Sequence, residues 1–258
     1  MTDFRSLHVP GDPLLLVNAW DAASARIVEA AGATAVATTS AGVAWSLGRP
    51  DGDVLDRDAA VAAVARICAA VSVPVTADIE SGYGSTPAAV AETVRAIVAA
   101  GAAGINLEDA RQGALLDVDD QSSRIAAARA ADATVFINAR VDTYLRGAGG
   151  FDETIRRATA YLAAGADGVF VPGVVDPEVI AALVEAIPAP VNVMAGPGSP
   201  AVPELAKLRV ARISLGASVA SAAYALVRRA AEEAFATGTY DAVADGLDYA
   251  AMNALLTR

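Results

Sequence analysis

Eight short apolar runs rich in β-branched residues recur along this chain, and each is followed by an Ala-rich segment with helical spacing. The runs are Leu14–Asn18, Thr34–Ser40, Val73–Asp78, Gly104–Glu108, Thr134–Arg140, Gly168–Pro172, Pro190–Met194 and Val210–Ser214. The helical segments are Asp21–Ala31, Asp58–Val71, Thr86–Ala100, Asp119–Ala131, Asp152–Ala164, Pro177–Ile187, Pro203–Leu208 and Ala217–Ala236. Near-continuous apolar strands belong to parallel sheets covered on both faces. Ala-Gly-Ala occurs at Ala31–Ala33, Ala100–Ala102 and Ala164–Ala166, where Gly can close a helix in the left-handed conformation.

A unit of roughly 25–35 residues repeated eight times predicts an α/β chain of the (β/α)8 TIM-type barrel kind. A doubly wound sheet would want a Gly-rich turn after the first strand, and Asn18-Ala19-Trp20-Asp21 is not one. The whole chain, 1–258, reads as one barrel domain. Residues 237–258 form a C-terminal extension in which Tyr240–Leu256 is amphipathic and needs a surface to pack on. A partner subunit would supply that surface.

Composition narrows the function. Hydrophobic residues make up 55% of the chain, enough for a large core. The net charge of −11 argues against nucleic acid or an anionic membrane as partner. A small anion remains possible, because local arginines and a metal override the global field. The single Cys, Cys68, permits no intrachain disulfide and suits a cytoplasmic setting. Met1–Pro10 has no apolar core of a secretory signal, and apolar stretches such as Ala88–Ala103 are broken by charges.

Four acids follow three successive strand-like runs: Asp51, Asp78 with Glu80, and Glu108. The carboxyl edge of a parallel sheet is where ligands bind. Converging carboxylates repel one another, and a cation relieves the repulsion. Oxygen donors without Cys or His suit Mg2+ or Mn2+ rather than Zn2+. Blander uses exist for each residue. Asp51 fits a Pro-Asp-Gly turn, and Arg140 fits an ion pair with Glu108 or Asp142. Asn192 suits a backbone contact, Thr39–Gly42 a small-residue turn, and Trp20 and Trp45 packing. Asp109 suits a buried pair with a cation.

Taken in order, these segments resemble the isocitrate lyase / phosphoenolpyruvate mutase superfamily. Ser46-Leu47-Gly48-Arg49-Pro50-Asp51-Gly52 resembles its strand-2 loop, and Ala77-Asp78-Ile79-Glu80-Ser81-Gly82-Tyr83-Gly84 its A-D-x-[DE]-[ST]-G-[FY]-G signature. Gly104–Asp109 is similar to its strand-4 Glu-Asp segment, and Asn138-Ala139-Arg140-Val141-Asp142 to its strand-5 motif. Asn192 and Ala211–Gly216 match its strand-7 and strand-8 segments.

The resemblance implies a barrel that binds a 2-oxo acid or enolpyruvyl group on Mg2+. It implies Asp78 as the direct ligand, with Asp51, Glu80 and Glu108 holding metal waters. Thr39, Ser40 and Ala41 would meet the substrate carboxylate, and Arg140 and Asn192 other substrate oxygens. It also implies a homo-oligomer, a dimer or tetramer that exchanges the last barrel helix. Lyase members carry Lys-Lys-Cys-Gly-His after the Glu-Asp, and mutase members carry Pro-Lys-x-Asn. This chain has Ala110-Arg111-Gln112-Gly113-Ala114-Leu115-Leu116-Asp117 there, with no Cys, Lys or His.

That departure shapes the expected chemistry. A metal stabilises the enolate that forms when an oxaloacetate-like acid loses CO2, and no proton has to be removed first. A Mg2+-dependent C–C lyase or decarboxylase is therefore the leading expectation, with Arg140, Asp51 and Glu108 as its catalytic groups. Two alternatives are a phosphoenolpyruvate mutase-like enzyme acting on C–P or C–O bonds, and a 2-oxo acid binding protein without turnover.

Overall fold

The computed structural model describes residues 3–257. Its main sheet is parallel, and the two ends of its strand order are adjacent pieces of one segment. Leu14–Leu16 pairs with the last strand and Asn18–Ala19 pairs with the second, so this split first strand (β1) closes the ring. The others are β2 Val36–Thr38, β3 Val75–Asp78, β4 Gly104–Glu108, β5 Phe136–Arg140, β6 Gly168–Val171, β7 Val191–Met194 and β8 Arg212–Ser214. The fold is an α/β barrel of the (β/α)8 kind, as the repeat predicts.

The helices lie between the strands in sequence: α1 Ala22–Ala30, α2 Ser40–Ser46, α3 Arg57–Ala70, α4 Pro87–Ala99 and α5 Val118–Ala131. Then come α6 Gly150–Ala163, α7 Pro177–Ala186, α8 Val202–Lys207, α9 Ser218–Ala236 and α10 Tyr249–Leu256. Acids and hydroxyls start them. Asp21, Asp56, Thr86, Asp117 and Asp176 each accept a backbone N–H from the first turn, which satisfies a donor the helix itself leaves free. The glycines of the three Ala-Gly-Ala signals, Gly32, Gly101 and Gly165, have φ of 100°, 103° and 110°, the left-handed stop their spacing predicts.

Three local features depart from the sequence reading. The second strand ends at Thr38 rather than Ser40, because Thr39 caps α2 with its Oγ1 accepting from Gly42 N–H. Gly42 is required there: a Cβ would stand 2.8 Å from Cβ of Trp20. Residues 110–115 form a small hairpin turning at Gln112-Gly113, both with positive φ. The amphipathic segment Tyr240–Leu256 divides into a 3-10 turn, Asp241–Val243, and α10, whose first N–H groups, from Ala250 and Ala251, donate to Asp248.

The main apolar core lies between the sheet and its helical ring, with Ile79, Ile97, Ile105, Ile125 and Ile137 sealed inside it. The barrel interior is unusual. Its base is apolar, where His8 stacks on Phe136 at 4.0 Å and meets Phe4 edge-on. Above the base, the inward positions are polar: Thr76, Asn106, Asn138, Asn192, Arg212 and Ser214 are all buried. A barrel packed purely for stability fills these layers with Val, Ile and Leu. Among the described residues, no helix is long and apolar enough to cross a membrane.

Candidate active site

The polar layer opens into a cavity of about 130 Å3 at the carboxyl ends of the strands. That approaches the roughly 150 Å3 that holds a benzene-sized molecule. Six residues expected from sequence line it: Thr39, Ser40, Ala41, Asp51, Asp78 and Arg140. Thr39–Ala41 enter it as the first turn of α2. Larger grooves lie elsewhere, including one of about 650 Å3 between β1 and α1, but they do not gather these charged groups.

Asp78 ends β3. Ser40 Oγ–H donates to its Oδ2 at 3.4 Å, and the Arg140 guanidinium lies 3.9 Å away. Burial raises the Asp78 carboxyl above its ordinary range, Arg140 opposes the rise, and Asp51 adds to it by repulsion. Asp51 arrives by a longer route than its sequence position suggests, from the loop after α2.

Glu80 and Ser81 hold that loop. Gly52 N–H donates to Glu80 Oε2 at 3.1 Å, and Asp53 N–H donates to the same oxygen. Ser81 Oγ–H donates back to Asp53 Oδ1 at 2.8 Å. Glu80 itself has φ of 50°, a conformation that non-glycine residues adopt mainly where the surroundings enforce it. Its Oε1 is buried without a partner. Burial lifts its pKa to about 7, with Asp51 and Asp78 adding repulsion.

Glu108 ends β4 and stands behind the cavity wall, where it accepts from Arg140 Nη1. Burial raises its pKa well above the carboxylate range against the pull of Arg140. Arg140 also donates through Nε to Asp142 Oδ1 at 2.6 Å and through Nη2 to Asp142 Oδ2 at 3.2 Å. Burial alone would lower the Arg140 pKa, but Glu108, Asp142 and Asp78 together raise it. Arg140 thus makes both ion pairs of the blander reading and still faces the cavity. Asn192 does not reach the wall. It lies one layer down, accepting from Ser214 Oγ–H at 3.2 Å, with its Nδ2 unpartnered.

Other lining residues escaped the sequence reading: Asn18, Asn106, Phe170, Met194 and Ser214. Alternation held the signal for Asn106, two residues before Glu108 and hence on the same strand face. Asn18 is a clamp, its Oδ1 accepting from Leu215 and Gly216 N–H at 3.0 Å each. Asp109 is structural: its carboxylate accepts from Arg157 Nη1 and Tyr161 O–H at 3.0 Å each. Arg157 also donates to Leu116 O, which fixes the far end of the hairpin.

The donor set fits a hard divalent cation. Asp51 and Asp78 reach the cavity, and Glu80 and Glu108 lie behind it with pKa values raised by burial and mutual repulsion. Among the described residues no three His, Cys, Asp or Glu lie close enough together to hold a metal ion by themselves. Mg2+ is ordinarily held by one or two carboxylates, with water and substrate completing its sphere.

A protein of Mycobacterium tuberculosis described as uncharacterised is 44% identical over 214 residues, covering 83% of this chain and 81% of its own. The 2-methylisocitrate lyase of Escherichia coli is 35% identical over 187 residues, covering 64% of this chain and 62% of its own. A phosphonopyruvate hydrolase solved with oxalate and Mg2+ superposes with a TM-score of 0.85 at 26% identity, covering 98% of this chain and 93% of that one. The phosphoenolpyruvate phosphomutase family profile matches residues 4–235, and the chain belongs to that family, within the isocitrate lyase / phosphoenolpyruvate mutase superfamily.

Proposed function

We propose that this protein is a Mg2+-dependent (or Mn2+-dependent) carbon–carbon lyase that decarboxylates or cleaves a small oxaloacetate-like 2-oxo acid. One observation carries the reading: the cavity brings Asp51, Asp78 and Arg140 together, and among the described residues no His, Lys, Cys or Tyr lines it. A reaction that begins with proton abstraction needs a positioned base of suitable pKa. Loss of CO2 from a 3-carboxylated 2-oxo acid does not.

Asp78 would hold the cation directly, with Asp51, Glu80 and Glu108 ordering its waters. When bound, the cation supplies Lewis-acid polarisation of the substrate's 2-oxo group. Arg140 places a fixed positive charge in a buried site, where it stabilises charge developing on substrate oxygen. Asp142 and Glu108 fix the plane of that guanidinium, which keeps it preorganised. The α2 N-terminus at Thr39–Ala41 offers backbone N–H groups to a carboxylate. As the bond to the departing carboxylate breaks, its electron pair moves toward the 2-oxo oxygen, and solvent later protonates the carbon.

C–P or C–O chemistry would want the Lys and Asn that the 110–117 loop lacks. Assaying pyruvate release from oxaloacetate, 2-methylisocitrate, isocitrate and phosphonopyruvate separates the readings. No Mg2+-dependent release from any of them, with retained 2-oxo acid binding, would favour a binding protein.

The same protein is proposed to work as a homo-oligomer exchanging α9. Of its 19 residues only Ala220 is buried, and Tyr224, Leu226, Val227 and Phe235 are exposed. The apolar groove of about 650 Å3, lined by Leu14, Val17, Ile27 and Val28, begins where α9 departs at Val219. α9 of a second copy supplies an apolar face to fill it.

A further inference from the structure

Arg212 is the largest side chain wholly sealed in the barrel. Burial lowers its pKa to about 9, against the pull of Asp78 from the cavity above. A buried guanidinium is costly to keep unless it does something. What it does here is set the cavity floor.

Arg212 Nη2–H donates to Asn106 Oδ1 at 3.1 Å. Asn138 Nδ2–H donates to the same oxygen at 2.9 Å. A guanidinium has donors only, so the Asn106 atom facing it must be the carbonyl oxygen. Flipping the amide would set N–H groups against two donors. The Asn106 NH2 is therefore left to the cavity that this residue lines. Arg212 Nε–H also donates to Ser214 Oγ at 3.4 Å, and Ser214 Oγ–H donates in turn to Asn192 Oδ1 at 3.2 Å. The serine hydroxyl is thereby turned from the void, and Asn106 remains the directed donor of the floor.

We propose that Asn106 is a substrate-binding residue that donates to a carboxylate or 2-oxo oxygen of the ligand, and that Arg212 is the positioning residue that keeps it a donor. The inference rests on reading the cavity as a 2-oxo acid site, and it adds a contact opposite the acid-rich wall.

Asn106→Asp is the sharpest test. It preserves shape and both accepted hydrogen bonds, gives Arg212 an anionic partner, and replaces the cavity-facing NH2 with oxygen. Asn106→Leu removes the donor without adding charge. The expected result is an unchanged or higher melting midpoint for Asn106→Asp. In both variants oxalate affinity in the presence of Mg2+, read by calorimetry, falls about tenfold or more, as for loss of a hydrogen bond to a charged group. KM for a turned-over 2-oxo acid rises more than kcat falls. Arg212→Met shows a smaller loss of oxalate affinity, and Arg212→Lys recovers part of it. Both Asn106 variants binding oxalate within about threefold of the wild type, far less than such a bond contributes, would overturn the proposal. Wild-type oxalate binding that both variants lose, without turnover of any 2-oxo acid, would keep the donor assignment and remove the lyase reading. Failure of the wild-type protein to bind oxalate with Mg2+ would remove both.

Discussion

Glu80 holds Gly52 from 28 residues away: the glycine N–H donates to its Oε2 at 3.1 Å, and that bond brings Asp51 to the cavity. Removing the carboxylate in Glu80→Ala frees the 51–53 loop. Metal affinity, measured by calorimetry, should fall along with kcat/KM. Stability should change by only about 1–3 kcal/mol, the cost of stranding buried N–H donors. Glu80→Gln keeps one acceptor oxygen and should lose less.

The raised acids make the metal-free protein sensitive to base. Burial pushes Glu80 up to about 7 in the folded protein from its ordinary value of 4.5, and Asp78 and Glu108 shift the same way. Between these values the folded state binds more protons than the unfolded one, so stability falls as pH rises from about 4.5 through about 7. The melting midpoint of the metal-free protein should decline over that window. Mg2+ should reverse the decline, and its stabilising effect should grow with pH, reaching about 2.7 kcal/mol at 100 times Kd.

Asp78→Asn removes one of the repelling buried acids. The metal-free variant should melt at the same temperature as the wild type or higher, while Mg2+-induced stabilisation and turnover disappear. Thermal scans with and without Mg2+ check both halves of this expectation.

Arg140 balances Asp142, whose side chain is wholly buried, and Glu108. Arg140→Met leaves Glu108 without its guanidinium and Asp142 with only Arg146, 3.4 Å away, and should cost about 3–5 kcal/mol in denaturant unfolding. Arg140→Lys keeps the charge but not the two-pronged geometry on Asp142, so it should recover stability more than activity.

Charge placed on the exposed face of α9 tests the assembly. Val227→Glu should leave the barrel folded, since Val227 is 64% exposed, yet lower the molar mass measured by light scattering. An unchanged mass would contradict helix exchange.

Much of this molecule was legible in its sequence for physical reasons. Strand and helix periodicity marked the eight units, and Gly at three helix ends marked their stops. Asp78 and Arg140 were visible because a charge ending an apolar strand has few alternative places. The rest depended on contacts that spacing does not carry. Thr39 reads as the end of a strand until Gly42 folds back beneath it as a helix turn. Asn106 sits inside an apolar run, and only closure of the barrel brings Arg212 and Asn138 onto its carbonyl. Glu80 and Asn192 have the expected neighbourhood, but backbone clasping and an interior layer are properties of the folded chain.

The most direct measurement is pyruvate release from oxaloacetate by the purified protein, with Mg2+, with chelator, and with Asp78→Ala in place of the wild type. Decarboxylation on a bound Mg2+ predicts release above the uncatalysed rate with Mg2+ alone, abolished by chelator and by the substitution. Release at the uncatalysed rate under all three conditions would contradict it.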